Sequence, residues 1–166
     1  MTRLLILAVF ALLIPQLAHG EGYVCVEEMV TGFKYTGGNW HSADFQPGEK
    51  FIVRPPTQID RGYLDDVIKL PNADKLKWVV SKTAAALPIF ACTGDFSALG
   101  NLLCRPVVVG PSNRYDLSAV SNPSDFRMNK NTLRFLFAYL TGYWTDTPDN
   151  EGKDPPVMAI GKCSPM

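Results

Sequence analysis

Histidine is nearly missing from this chain of 166 residues: it occurs only at His19 and His41. His19 falls in a segment expected to be removed on export, so His41 would stand alone and any mechanism needing two imidazoles is excluded. H-E-x-x-H, G-x-S-x-G and a phosphate-binding glycine loop are also absent, which removes the commonest zinc-protease, serine-hydrolase and nucleotide signatures. Charge of one sign is lacking too. The 16 basic and 16 acidic residues balance, with no block of like charge, so nothing draws a phosphate backbone and nucleic acid is not an expected partner. After the first segment no apolar run approaches about 18 residues, the length that marks a membrane-crossing helix, so no transmembrane span is expected in the mature chain. Repeats and low-complexity stretches are missing as well.

What is present begins with a targeting pattern. Arg3 supplies a positive start, Leu4 to Ile14 is unbroken apolar sequence, Pro15 ends it, and Ala18-His19-Gly20 puts small residues at a cleavage position. Residues 1–20 are therefore expected to be a signal peptide, leaving 21–166 as the mature chain. Without Arg3 the mature chain carries 15 basic and 16 acidic residues. Its length suits one domain with a single core.

All four cysteines, Cys25, Cys92, Cys104 and Cys163, lie in the mature part. An even number in an oxidising compartment reads as two disulfides. Three pairings are open to sequence. The favoured one is a local Cys92–Cys104 clip with Cys25–Cys163 tying the first strand to the last. A zinc site is the competing reading, and it lacks close cysteine pairs and supporting histidines. No metal or cofactor is expected.

Period-two alternation dominates the remainder. Tyr23 to Val26 and Thr31 to Tyr35 read as strand, and Thr36-Gly37-Gly38-Asn39 is the clearest hairpin turn, with Trp40 to Phe45 returning. Phe51 to Val53, Lys75 to Ser81, Pro88 to Cys92, Cys104 to Val109 and Val157 to Cys163 give further strands, Pro106 limiting its own to an edge or first position. Ile59, Tyr63, Val67, Ile68 and Leu70 fit a short amphipathic helix within an irregular excursion confined by Gly62 and Pro71. Gly110 to Asp125 and Thr145 to Asp154 read as loops.

The stretch from Phe126 to Trp144 carries the densest aromatic signal. As a hairpin turning at Asn129-Lys130-Asn131, it sets Leu133, Phe135, Phe137 and Tyr139 on one face and Arg134 and Ala138 on the other. Leu133, Leu136, Phe137 and Leu140 also satisfy a helical template capped by Asn131, so helix is the alternative. About eight short strands with glycine- and proline-rich turns predict an all-β fold, a small antiparallel β-barrel stapled by two disulfides; a two-sheet β-sandwich is the alternative. Phe33, Phe45, Phe51, Phe90, Phe135 and Phe137 are the expected core aromatics. Bulky inward residues predict a filled barrel, against a hollow small-ligand carrier.

At Cys25-Val26-Glu27-Glu28, Thr31-Gly32-Phe33, Trp40, Phe45, Thr132-Leu133-Arg134-Phe135, Gly142-Tyr143-Trp144 and Ile160-Gly161-Lys162-Cys163-Ser164 the chain resembles a group of small exported proteins of Gram-negative bacteria with no assigned activity. The resemblance spans most of the mature chain and implies an envelope or secreted setting. It brings no site residues with it.

No catalytic residue is expected. His41 reads as an exposed hairpin residue. Glu27 and Glu28, as strand neighbours, face opposite ways unless a bulge intervenes, and Asp65-Asp66 reads as a solvated face. Trp40, Tyr143 and Trp144 adjoin turn glycines and are the candidate binding residues, able to stack on a sugar or fill a partner's pocket. The expected function is a non-enzymatic exported binding protein of the cell envelope, inhibitor-like in character, whose partner is an envelope protein or glycan. A carboxylate-dependent hydrolase of envelope polymers is the alternative. Two carboxylates meeting in one cleft favour the enzyme; a convex surface with exposed aromatics favours the binder.

Overall fold

A computed structural model describes residues 21–67, 75–107, 124–140 and 155–166. The expected signal segment 1–20, both predicted loops for most of their length, and Tyr143 and Trp144 lie outside the described residues. Among the described residues nine strands make one antiparallel sheet: β1 (Tyr23–Thr36), β2 (Asn39–Phe45), β3 (Lys50–Arg54), β4 (Trp78–Lys82), β5 (Phe90–Cys92), β6 (Asn101–Pro106), β7 (Asp125–Asn129), β8 (Arg134–Tyr139) and β9 (Val157–Pro165). Eight of them, β1 and β3 to β9, close into a barrel because β9 pairs back onto β1 from Tyr23↔Pro165 to Gly32↔Val157. Closure satisfies the two edges an open sheet would leave, and with a single closed sheet the sandwich alternative falls.

The ninth strand has a different relation to the barrel. β1 is 14 residues long and outruns β3, which pairs with it only from Tyr23 to Val26. The overhanging half, Val30 to Thr36, pairs with β2 through a two-residue turn in which Gly37 and Gly38 have φ of 60° and 82°. Positive φ at both positions matches the strand twist, and glycine adopts it without a steric penalty.

Both disulfides are buried and cross-strand: Cys25–Cys163 joins directly opposed residues of β1 and β9, and Cys92–Cys104 joins β5 to β6. Two such bonds are compatible with an exported protein. No helix among the described residues is long and apolar enough to cross a membrane.

The barrel is filled through its waist. Phe126 and Phe135 stack with ring centres 5.4 Å apart, and Phe51 meets both edge-on at 5.7 Å, the arrangement aromatic quadrupoles favour. Phe135 is buried and Arg134 exposed, so the strand reading of this stretch holds. The turn is longer than the alternation implied: β8 begins at Arg134, and Leu133 is the last turn residue, at φ 54°. Asn129 Oδ1 holds the turn by accepting from the N–H groups of Asn131 and Thr132 at 2.9 and 3.0 Å. β6 likewise starts earlier than expected, at Asn101, with Pro106 as its last residue.

After β3 the predicted excursion contains a helix, α1 (Gln58–Gly62), followed by a π-helical turn, Tyr63–Val67. Its facing differs from the amphipathic expectation, for Ile59 is 76% exposed while Asp60 and Leu64 are buried. Asp60 closes a capping box with Thr57 and pairs with Arg54, its Oδ1 accepting from Arg54 Nη2 at 3.1 Å. That pair rotates the helix so that the carboxylate, rather than the isoleucine, turns inward. Asp65 is exposed; the side chain of Asp66 lies outside the described residues.

At the barrel end where β1 begins, Tyr23, Trp78 and Phe96 close the opening, Trp78 and Phe96 lying 5.1 Å apart edge to face. Trp78 Nε1 donates to Asp95 Oδ1 at 2.9 Å. That bond and a second from the Phe96 N–H hold the Asp95 carboxyl below its ordinary value.

Candidate functional site

At the opposite end of the barrel the described residues frame a cleft, and β1 shapes it. Its register with β9 shifts between Glu27 and Met29, a β-bulge. The extra residue sends Glu28 and Met29 both outward and returns Val30 to the interior. Glu27 and Glu28 therefore part company despite the bulge: Glu28 reaches Lys162 at 2.9 Å on the surface, while Glu27 is only 9% exposed. Glu27 Oε2 accepts from the N–H groups of Gly48 and Glu49 at 3.2 and 3.0 Å, pinning the β2–β3 turn to β1. Among the described residues no hydrogen bond goes to its other oxygen, Oε1.

Glu27 lines a cavity of about 640 Å³ whose walls are mainly apolar, with Val30, Phe45, Ile89, Phe90, Val107, Phe137 and Val157 among them. Glu49 and Lys82 stand at the same opening, joined at 3.1 Å and each about half exposed. Two carboxylates thus share one cleft. Glu49 is paired with Lys82, and Glu27 uses one of its two oxygens on the turn. Among the described residues three charged side chains line the space, two of them paired with each other, which leaves Glu27.

A second feature lies on the outside. Met29 on β1 faces Ile160 on β9, which faces Leu136 on β8; one row along, Thr31 faces Met158. By strand alternation Phe33 and Tyr35 continue the face that begins at Met29. Met29, Phe33, Met158 and Ile160 are between 43 and 60% exposed, a contiguous apolar patch of the kind that marks an interaction surface. This corrects the expectation that Phe33 is core: it lies where β1 has left β3 behind, and it is 52% exposed.

Trp40 stands at the tip of the same arm. It pairs with Tyr35, ring centres 5.3 Å apart, and is half-buried. Of the three residues predicted to bind, it is thus placed beside the outer patch; Tyr143 and Trp144 lie outside the described residues. His41 is exposed on β2, as expected. Among the described residues no group of three or more His, Cys, Asp and Glu could hold a metal ion.

Sequence reasoning missed Glu27 as a buried carboxylate and Met29, Met158 and Ile160 as surface. A signal for the second existed. Val157-Met158-Ala159-Ile160 is apolar on both strand faces, and only one face can line the barrel. Comparison with protein-family profiles, curated proteins and solved structures finds no match to this chain.

Proposed function

We propose that this is an exported, non-enzymatic binding protein of the cell envelope, periplasmic or secreted, which docks a protein partner on the convex face formed by β1, β2 and β9. The observation that carries this reading is the exposure of Met29, Phe33, Met158 and Ile160 in adjacent positions on a seam closed by Cys25–Cys163. A covalently closed barrel presents such a face with little ordering cost on binding. Trp40 at the arm tip adds an aromatic anchor of the type that dominates interface energetics. Residues 1–20, with the features of a signal peptide, and the resemblance to small exported proteins of Gram-negative bacteria support the compartment. The carboxylate-hydrolase alternative is weaker, because Glu49, the other carboxylate among the described lining residues, is paired with Lys82 instead of standing free opposite Glu27.

The test is a pull-down from envelope extract with the exported protein and with Phe33→Ser and Met158→Ser, both at exposed positions where folding should be little affected. A partner retained by the native protein and lost by both variants is the expected outcome. Equal retention by all three, or release by soluble envelope glycan instead of by detergent-free competitor protein, overturns a protein-docking face.

A further inference from the structure

The cleft at this barrel end is a site of a different kind from the outer face, and its chemistry can be read from its described walls. We propose that it binds a small amphiphile with a cationic, hydrogen-bond-donating head, an alkylammonium, with the head on Glu27 and the apolar part in the barrel mouth. Three observations carry this. The space, about 640 Å³, falls within the range of small-molecule sites and is walled by Val30, Ile89, Phe90, Phe137 and Val157. Its floor is solid, since Phe51, Phe126 and Phe135 fill the waist and Tyr23, Trp78 and Phe96 close the far end, so a ligand enters and leaves by the mouth. Glu27, nine-tenths buried in that wall, uses Oε2 on the Gly48 and Glu49 amides and accepts no hydrogen bond from a described residue at Oε1.

Head-group chemistry follows from electrostatics. A neutral apolar ligand would strip water from Glu27 and return nothing for it, which is unfavourable for a carboxylate. An anionic head would add a like charge, and Lys82, the one lysine among the described lining residues, is already paired with Glu49. An ammonium brings both the opposite charge and N–H donors, and a charge-assisted hydrogen bond is roughly twice as strong as a neutral one.

The experiment compares three probes of one chain length, octylammonium chloride, octanoate and octanol, by titration calorimetry on the exported protein. Octylammonium should bind saturably at one site, about tenfold or more tighter than the other two. Glu27→Gln should bring it down to the level of octanol, whereas Glu28→Gln, on the outer side of the same bulge, should leave it unchanged. In parallel, amide resonances of Gly48 and Glu49 should shift with octylammonium while those of Phe33 and Met158 stay still. Octanoate binding as tightly as octylammonium, no saturable binding of any probe, or unmoved Gly48 and Glu49 amides each overturn the proposal. Should Glu27→Gln fail to fold, the three-probe series and the amide shifts decide it on the native protein alone. A partner lost from the outer face leaves this site standing, and the reverse holds too.

Discussion

Cys25 and Cys163 face each other across the seam where the first strand meets the last, their Cα atoms 3.9 Å apart. The bond therefore ties together the two strands whose pairing closes the barrel. Cys92–Cys104 spans 12 residues against 138 for the terminal bond. On the chain-entropy account the shorter contributes roughly 3 kcal/mol and the longer roughly 5. Replacing each pair by alanine and measuring urea unfolding should show the Cys25/Cys163 variant to be the less stable. The opposite order would mean that the unfolded chain is not the state these bonds act on.

Phe135→Ala should cost about 3 to 5 kcal/mol, and Leu136→Ala, on the outer face of the same strand, about 1. Phe135 stacks on Phe126 and meets Phe51, so truncation opens a cavity at the waist. Equilibrium unfolding of the two variants measures the difference.

Gly161 lies opposite both Glu27 and Phe135. A Cβ there would run into the Val26 carbonyl oxygen and come within 2.6 Å of Phe135 Cε1. Gly161→Ala should therefore destabilise by about 2 kcal/mol or more, as overpacking against backbone does. Unchanged stability would show that the bulge yields.

Asp60 carries the clearest pH dependence. Burial pushes its carboxyl up, but the hydrogen bonds from Arg54 and from the Thr57 side chain and N–H together hold it below the ordinary carboxylate value. A folded value below the unfolded one means that the contribution is present above about pH 3.9 and is lost as pH falls from there through the folded value. Asp60→Asn should lose this part of the acid slope and, by leaving Arg54 without its partner, cost about 3 kcal/mol near neutrality. Unfolding midpoints from pH 7 to 3 check it; parallel curves for the two proteins would refute the assignment.

Much of the architecture was legible because it is encoded locally. Gly37-Gly38 specifies its turn through positive φ, and the alternation of Phe135 and Phe137 with Arg134 specifies a strand. Cysteines in the first and last strands could be paired once both strands were recognised. Glu27 shows where such reading stops, since the bulge between it and Met29 arises from pairing with Gly161 and Ile160, more than 130 positions away. Asp60 and Ile59 exchange their expected environments for a similar reason, the inward partner being Arg54 on a preceding strand.

By itself, then, the sequence determined which residues share a face and where the chain turns, since period two and turn chemistry are properties of near neighbours, while it left three cysteine pairings open. Only the tertiary structure decided which face is inside. β1 outruns β3, so alternation that buries Val30 leaves Phe33 uncovered, and closure by β9 is what turns Glu27 toward an apolar mouth instead of water. Burial depends on what covers a face, and here the covering strands come from the far end of the chain.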